Sequence, residues 1–235
     1  MPGATPHQHS AARPGTVPLD DHPQGNLLAL AKELGPLVSL TRWQRSDYCD
    51  SVVANGAIGW VVSGLVRKSH ILESGQRRIV DIMMAGDFLG LRPDDAALFS
   101  FEATENGTLI ARIGRRDFNT LVSTRPSLCQ FFFESACHTI ARLETHILVQ
   151  GRTTSTQKIA GYLVSMSRRL SAEHDAAVTL PVSRYDIADH VGIAVETVSR
   201  AITELRRQGV IELETPRCVS IRDAHDFTDG VPDKL

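Results

Sequence analysis

Residues 180–221 read LPVSRYDIADHVGIAVETVSRAITELRRQGVIELETPRCVSI, and the order of signals along them decides the C-terminal fold. Ser183 followed three residues later by Asp186 is a variant of the capping box, in which each side chain satisfies an orphan N–H at a helix start. Ile187, Ala188 and Val191 give that helix an apolar face. Gly192 supplies a turn, and a second helix is predicted over residues 195–208, stopped by Gly209. Two short helices joined by a glycine turn form a helix-turn-helix.

The second helix has two readable faces. Val198, Ala201, Ile202 and Leu205 share one stripe and are predicted to pack inward. Glu196, Ser199, Arg200 and Thr203 fall on the opposite face, with Val195 beside them near the N-terminus. That is where a recognition helix meets base edges in the major groove of double-stranded DNA. Arg200 can pair bidentately with guanine, Glu196 can accept from cytosine or adenine, Val195 can touch a thymine methyl, and Ser199 can take either polar role. The plainer reading is a solvated face with Glu196 and Arg200 as an i,i+4 ion pair worth a few tenths of a kcal/mol. The turn before the helix and the ribbon after it weigh against that.

The ribbon alternates Ile211 and Leu213 with glutamates, turns at Thr215, Pro216 and Arg217, and returns through Cys218, Val219 and Ile221 as a wing. Residues 152–222 carry ten basic and eight acidic residues, so phosphate binding must come from placement rather than bulk charge. Ser183, Arg184, Thr197, Thr203 and Arg217 are the candidates for that positioning, with Arg206, Arg207 and helix N-termini alongside. Cys218 is expected on the exposed face of the wing as a candidate redox thiol, an inert surface thiol being the simpler reading.

Upstream, Gly151 and Arg152 read as a hinge, and the segment from Thr156 to Leu170 reads as an amphipathic helix. Before the hinge, Pro126 suits a first helical turn. Phe133, Ala136, Ile140, Leu143 and Ile147 follow at spacings of 3, 4, 3 and 4, a heptad seam that calls for a partner helix. A symmetric parallel pair supplies one, so a homodimer is expected. Phe131 and Phe132 are expected to face the N-terminal domain, and Cys129 and Cys137 to be packing residues. Residues 27–121 carry short apolar runs punctuated by Gly64, Gly75, Gly86 and Gly90, a pattern of antiparallel strands without intervening helices. The expected fold is α+β: a disordered tail (1–25), a β-roll (26–123), a dimerisation helix (124–151), a winged helix-turn-helix (152–222) and a C-terminal tail (223–235).

The chain has 235 residues, 25 Lys+Arg, 27 Asp+Glu and 42% hydrophobic residues, an ordinary globular composition. No run approaches the 18 or so apolar residues of a membrane span. The first 25 residues hold five of the eleven prolines and no apolar signal segment, so a cytoplasmic protein is expected. Cys49, Cys129, Cys137 and Cys218 are scattered, which argues for reduced thiols and against zinc motifs. His7, His9 and His22 are read as solvated rather than as a metal site. No nucleophile–base constellation suggests an enzyme, and no cofactor or metal is expected.

These features resemble the CRP/FNR superfamily of bacterial transcription regulators over nearly the whole chain after the tail. Trp60-Val-Val-Ser-Gly64, Arg77-Arg-Ile-Val-Asp-Ile82 and Ala85-Gly-Asp-Phe-Leu-Gly90 carry the resemblance, and the helix-turn-helix carries it most specifically. It looks like the FNR/FixK branch, whose Glu-x-x-Ser-Arg signature falls on Glu196, Ser199 and Arg200. The resemblance implies a homodimer reading TTGAT-N4-ATCAA palindromes and activating transcription through RNA polymerase. The genes implied serve low-oxygen respiration, denitrification or nitrogen fixation. Val195 stands where the CRP branch, which reads TGTGA, has arginine, and Ala194 stands where the FNR/FixK branch has a capping threonine.

The resemblance also bears on effectors. Asp94, Asp95 and Glu102 lie in the region of the cyclic-nucleotide cassette and are expected to repel a phosphate. No cysteine precedes Cys49, so the clustered ligands of an FNR iron–sulfur centre are absent. The chain therefore looks like the FixK type, controlled at its own transcription. The alternative is a ligand-gated sensor of haem, nitric oxide or another small molecule, with His138 and His146 as candidate axial ligands. A protein-interaction module that never meets DNA is disfavoured by the base-reading face.

Overall fold

The computed structural model describes residues 23–170 and 177–222; both tails, including His7, His9 and His22, lie outside them. Helix α1 (Pro23–Glu33) leads into β1 (Val38–Trp43), the short α2 (Asp50–Val53), β2 (Ile58–Ser63), β3 (Val66–Ile71) and β4 (Arg77–Met83). Then come β5 (Phe88–Leu89), α3 (Asp95–Leu98), β6 (Ser100–Ala103), β7 (Thr108–Ile113) and α4 (Arg115–Thr124). The strands form two antiparallel sheets, β1-β7-β2-β5 and β4-β3-β6. Together they make a roll filled by Trp60, Val61, Phe101 and Ile110, all fully buried. Gly90 is held at φ +70, where a Cβ would stand 2.6 Å from the Ala57 carbonyl oxygen, so only glycine fits there.

Helix α5 (Pro126–Gln150) opens on proline and runs 25 residues. Its Phe131 and Phe132 are buried against the roll, with Phe132 edge-on to Phe88 at 5.0 Å. After α5 come α6 (Ser155–Leu170), β8 (Val178–Thr179), α7 (Arg184–Val191), α8 (Val195–Arg207), β9 (Ile211–Leu213) and β10 (Cys218–Ile221). The fold is α+β. Among the described residues no helix is long and apolar enough to cross a membrane.

Two short helices, α2 and α3, stand between strands of the roll where none was expected, and three strands carry little signal of their own. The wing is a three-stranded sheet, β8-β10-β9, rather than a two-stranded ribbon. Strand β8 is two residues long and exists through its pairing with Cys218 and Val219. Strand β1 shows no alternation because its four middle residues are all exposed, and β6 is a four-residue segment bearing a carboxylate.

The roll and the helix-turn-helix share one core. Leu65, Ile79, Ile82 and Met84 pack with Ile159, Leu163, Met166, Ile187, Val191, Val198 and Leu205. A buried charge cluster lies beside it: Arg142 of α5 bonds Asp81 and Asp87 of the roll at 2.8 Å each, and Arg169 of α6 bonds Asp87 at 2.7 Å. Asp81, Arg142, Arg169, His146, Tyr162 and His190 line a cavity of about 30 Å³, room enough to hold a water molecule.

His190 of α7 is the wedge in this junction. Its Nδ1–H donates to the Ile79 carbonyl at 3.0 Å, and its ring lies 4.0 Å from that of His146. Burial, then the charge of His146, pushes its pKa from 6.5 down to about 3. Between those values the unfolded chain binds a proton that the fold refuses, so stability rises with pH by at most about 1.4 kcal/mol per unit. His146, also lowered by burial, acts in the same direction. The urea midpoint is expected to fall between pH 7 and pH 5 and to fall less in His190→Gln; an identical fall in the variant would locate the effect elsewhere.

Candidate nucleic-acid interface

The start of α7 is built by the residues that announced it. Ser183 Oγ accepts the Asp186 N–H at 3.2 Å, and Asp186 Oδ2 accepts the Ser183 N–H at 3.0 Å, so both halves of the capping box are present. Ser183 is thereby engaged as a cap, not held ready for a phosphate. Gly192, left-handed at φ +78, closes α7. Helix α8 then begins after Ala194, which makes no side-chain cap bond. Ala194→Ser is accordingly expected to stabilise the chain by about 1 kcal/mol, read as a higher denaturation midpoint; no gain would mean that the first turn is satisfied otherwise.

Val198, Ala201, Ile202 and Leu205 of α8 are buried, while Glu196, Arg200 and Thr203 are exposed on the opposite face with Ser199 half-buried among them. No salt bridge joins Glu196 to Arg200. Arg200 Nη2 instead donates weakly to Thr197 Oγ1 at 3.3 Å, and the Thr203 hydroxyl donates to the Ser199 carbonyl at 2.9 Å. Arg184 reaches across from α7 to Ser199 Oγ at 3.2 Å, linking the two helices. Val195 is half-buried and packs partly on the shared core, so only part of its surface remains for a thymine methyl.

The wing presents Arg217 exposed at its turn, with the Arg217 carbonyl accepting the Leu180 N–H at 2.8 Å. Arg207 is paired with Glu204 at 2.7 Å. Cys218 is half-buried on the central strand, between β8 and β9. Its Sγ lies 3.4 Å from a Glu214 carboxylate oxygen.

Along α5, the seam residues Phe133, Ile140 and Ile147 are 68%, 55% and 68% exposed in the single chain, with Leu143 exposed and Ala136 half-buried. Cys129 and Cys137 are also exposed. The three cassette carboxylates are not bare: Asp94 pairs with Arg92, Asp95 with Lys68 at 3.0 Å, and Glu102 with Arg67. Repulsion of a phosphate there is therefore weaker than the sequence suggested, although the nearby cations are already engaged. His138 is exposed, whereas the His146 ring is occupied by His190 and by Gln150 at 2.8 Å.

A family model for the Crp-like helix-turn-helix domain matches residues 157–228. The nitrogen fixation regulation protein FixK of Rhizobium meliloti is 34% identical over 161 residues, covering 68% of this chain and 72% of that protein. The chain belongs to the CRP/FNR family, as a FixK-type member. FixK of Azorhizobium caulinodans is 34% identical over 166 residues, 69% of this chain and 66% of that protein, just short of two thirds of its length. In fold, this FixK-type chain is similar to FixK2 from Bradyrhizobium japonicum, with TM-score 0.70 and 24% identity over 84% of this chain and 99% of that one.

Sequence reasoning missed the residues of this FixK-type chain that tie α7 to the roll: Arg67, Arg77, Asp189 and His190. Arg77 was visible inside a family motif, but its partners lie more than a hundred residues away, and no local pattern encodes such a pair.

Proposed function

We propose that this chain is a sequence-specific, DNA-binding transcription activator that works as a homodimer in the cytoplasm. The observation that carries this is the outward face of α8, where Glu196, Ser199, Arg200 and Thr203 stand together, backed by a fully apolar inner stripe. Arg200 reads a guanine, Glu196 the neighbouring amino group, and Val195 a thymine methyl. Arg184, Thr197, Thr203 and Arg217 lie toward the phosphates, and Ser183 acts through the helix it caps.

The exposed seam of α5 pairs with its copy, which brings two α8 helices to the half-sites of a TTGAT-N4-ATCAA palindrome one helical turn apart. Contact with RNA polymerase then activates genes of low-oxygen respiration, denitrification or nitrogen fixation. In this reading DNA binding needs no effector, and binding assays without added ligand test that.

The dimer is testable through Ile140→Glu, which buries a charge against its own copy. Sedimentation is expected to find a dimer for the native chain and a monomer for the variant, with palindrome binding lost. A variant that stays dimeric and binds DNA would place the interface elsewhere.

A further inference from the structure

The roll holds α7 along its whole length. At its start, Asp186 accepts from Arg67 of β3 and, at 3.1 Å, from Arg77 of β4. In its last turn, Asp189 accepts from Arg77 Nε at 2.8 Å, and His190 donates to the Ile79 carbonyl. Three side chains of α7, Asp186, Asp189 and His190, thus tie it to the roll, and α8 packs directly on α7.

The charges are matched to the task. Arg67 sits between Glu102 and Asp186, and Arg77 between Asp186 and Asp189. Burial pushes the Asp186 carboxyl up, but Ser183 and Arg67 hold it below the usual range, so it stays ionised as the shared acceptor. The bonds of Ser199, Arg200 and Thr203, by contrast, stay inside the helix-turn-helix. The docked arrangement thus restrains α7 while leaving the outward face of α8 exposed.

We infer that Arg67 and Arg77 are positioning residues for spacer specificity: by clamping Asp186 and Asp189 they fix α8 relative to the dimer helix, and so set the half-site separation without an effector. This rests on the DNA-reading role proposed above. Two rigidly held heads bind a palindrome of one spacing as a single preorganised surface. Two loosened heads bind each half-site as before but lose the gain from joint binding and the preference for one spacer.

The test compares the native chain with Arg77→Glu on duplexes carrying TTGAT-N3-ATCAA, TTGAT-N4-ATCAA and TTGAT-N5-ATCAA, and on an isolated half-site. The native chain is expected to prefer one spacer. Arg77→Glu is expected to lose about tenfold or more on the preferred palindrome, to level the three spacers and to keep its half-site affinity. Adding Asp189→Arg re-forms the ion pair in reverse and is expected to restore spacer preference, which gain of a phosphate contact alone would not do. Equal weakening on palindrome and half-site would mean that Arg77 touches DNA itself and would overturn the inference, as would unchanged spacer preference or a failed rescue. If the native chain binds none of the duplexes, the DNA-reading role is what fails. Hydrogen exchange of the DNA-free dimer then decides the clamp: protection of residues 184–191 falls in Arg77→Glu if it exists, and unchanged protection overturns it.

Discussion

Arg142→Ala is expected to lower the unfolding free energy by about 3–5 kcal/mol, the usual loss when one partner of a buried ion pair is removed. Arg142 is buried and divides its guanidinium between Asp81 and Asp87, at 2.8 Å each. Without it, two buried carboxylates share Arg169 alone, which already bonds Asp87 at 2.7 Å and donates to the Ile82 carbonyl at 2.8 Å. Burial pushes the Asp81 carboxyl up, but Arg142 and then Arg169 hold it down at about 2. Its stabilising contribution is therefore complete above its ordinary value of 3.8 and is lost as pH falls toward 2. In Arg142→Ala that loss is expected to begin at higher pH. Because domains are stable by only about 5–15 kcal/mol, denaturant titration resolves the change easily. A loss below about 1 kcal/mol would mean that the cluster is solvated like a surface pair.

Arg200→Ala is expected to do the reverse: little to stability, much to binding. Arg200 is exposed and makes one long bond to Thr197, so its removal is expected to change stability by no more than about 0.5 kcal/mol. A bidentate arginine–guanine contact is worth about 1–3 kcal/mol, and a dimer on a palindrome makes two, so specific affinity is expected to fall by about 2–6 kcal/mol. The loss is confined to one base pair per half-site, so a duplex with that G·C pair replaced is expected to bind native and variant chains alike. Quantitative footprinting across single-base substitutions checks this. Retained discrimination at that pair in Arg200→Ala would assign guanine reading to another residue.

The helix-turn-helix was legible because its signals are local. Ser183 and Asp186 close a box within one turn, Gly192 takes the left-handed conformation at the turn, and the stripe of Val198, Ala201, Ile202 and Leu205 repeats with the helix. Helix α5 was legible for the same reason, with Pro126 at its start and a 3-4 seam left exposed. What escaped was non-local. Strand β8 exists through pairing with β10, and β1 is an edge strand whose four middle residues, Leu40 among them, are all exposed. Arg67 meets Asp186 across 119 positions, and the wedge at His190 depends on a backbone carbonyl of the roll. Within the site, the face of α8 was readable, whereas the engagement of Ser183 as a cap and the half-burial of Val195 and Cys218 followed from neighbours that packing supplied.

In the proposed role, α8 reads a FixK-type palindrome in an effector-free dimer. Equilibrium binding of the purified, ligand-free protein in air tests it most directly, on a labelled TTGAT-N4-ATCAA duplex with a TGTGA palindrome as competitor. Tight binding to the first duplex is expected, with weak competition by the second and a steep fall in affinity with salt as several phosphates are neutralised per dimer. Absence of binding until a haem, a nucleotide or a reductant is added, or preference for TGTGA, would contradict it.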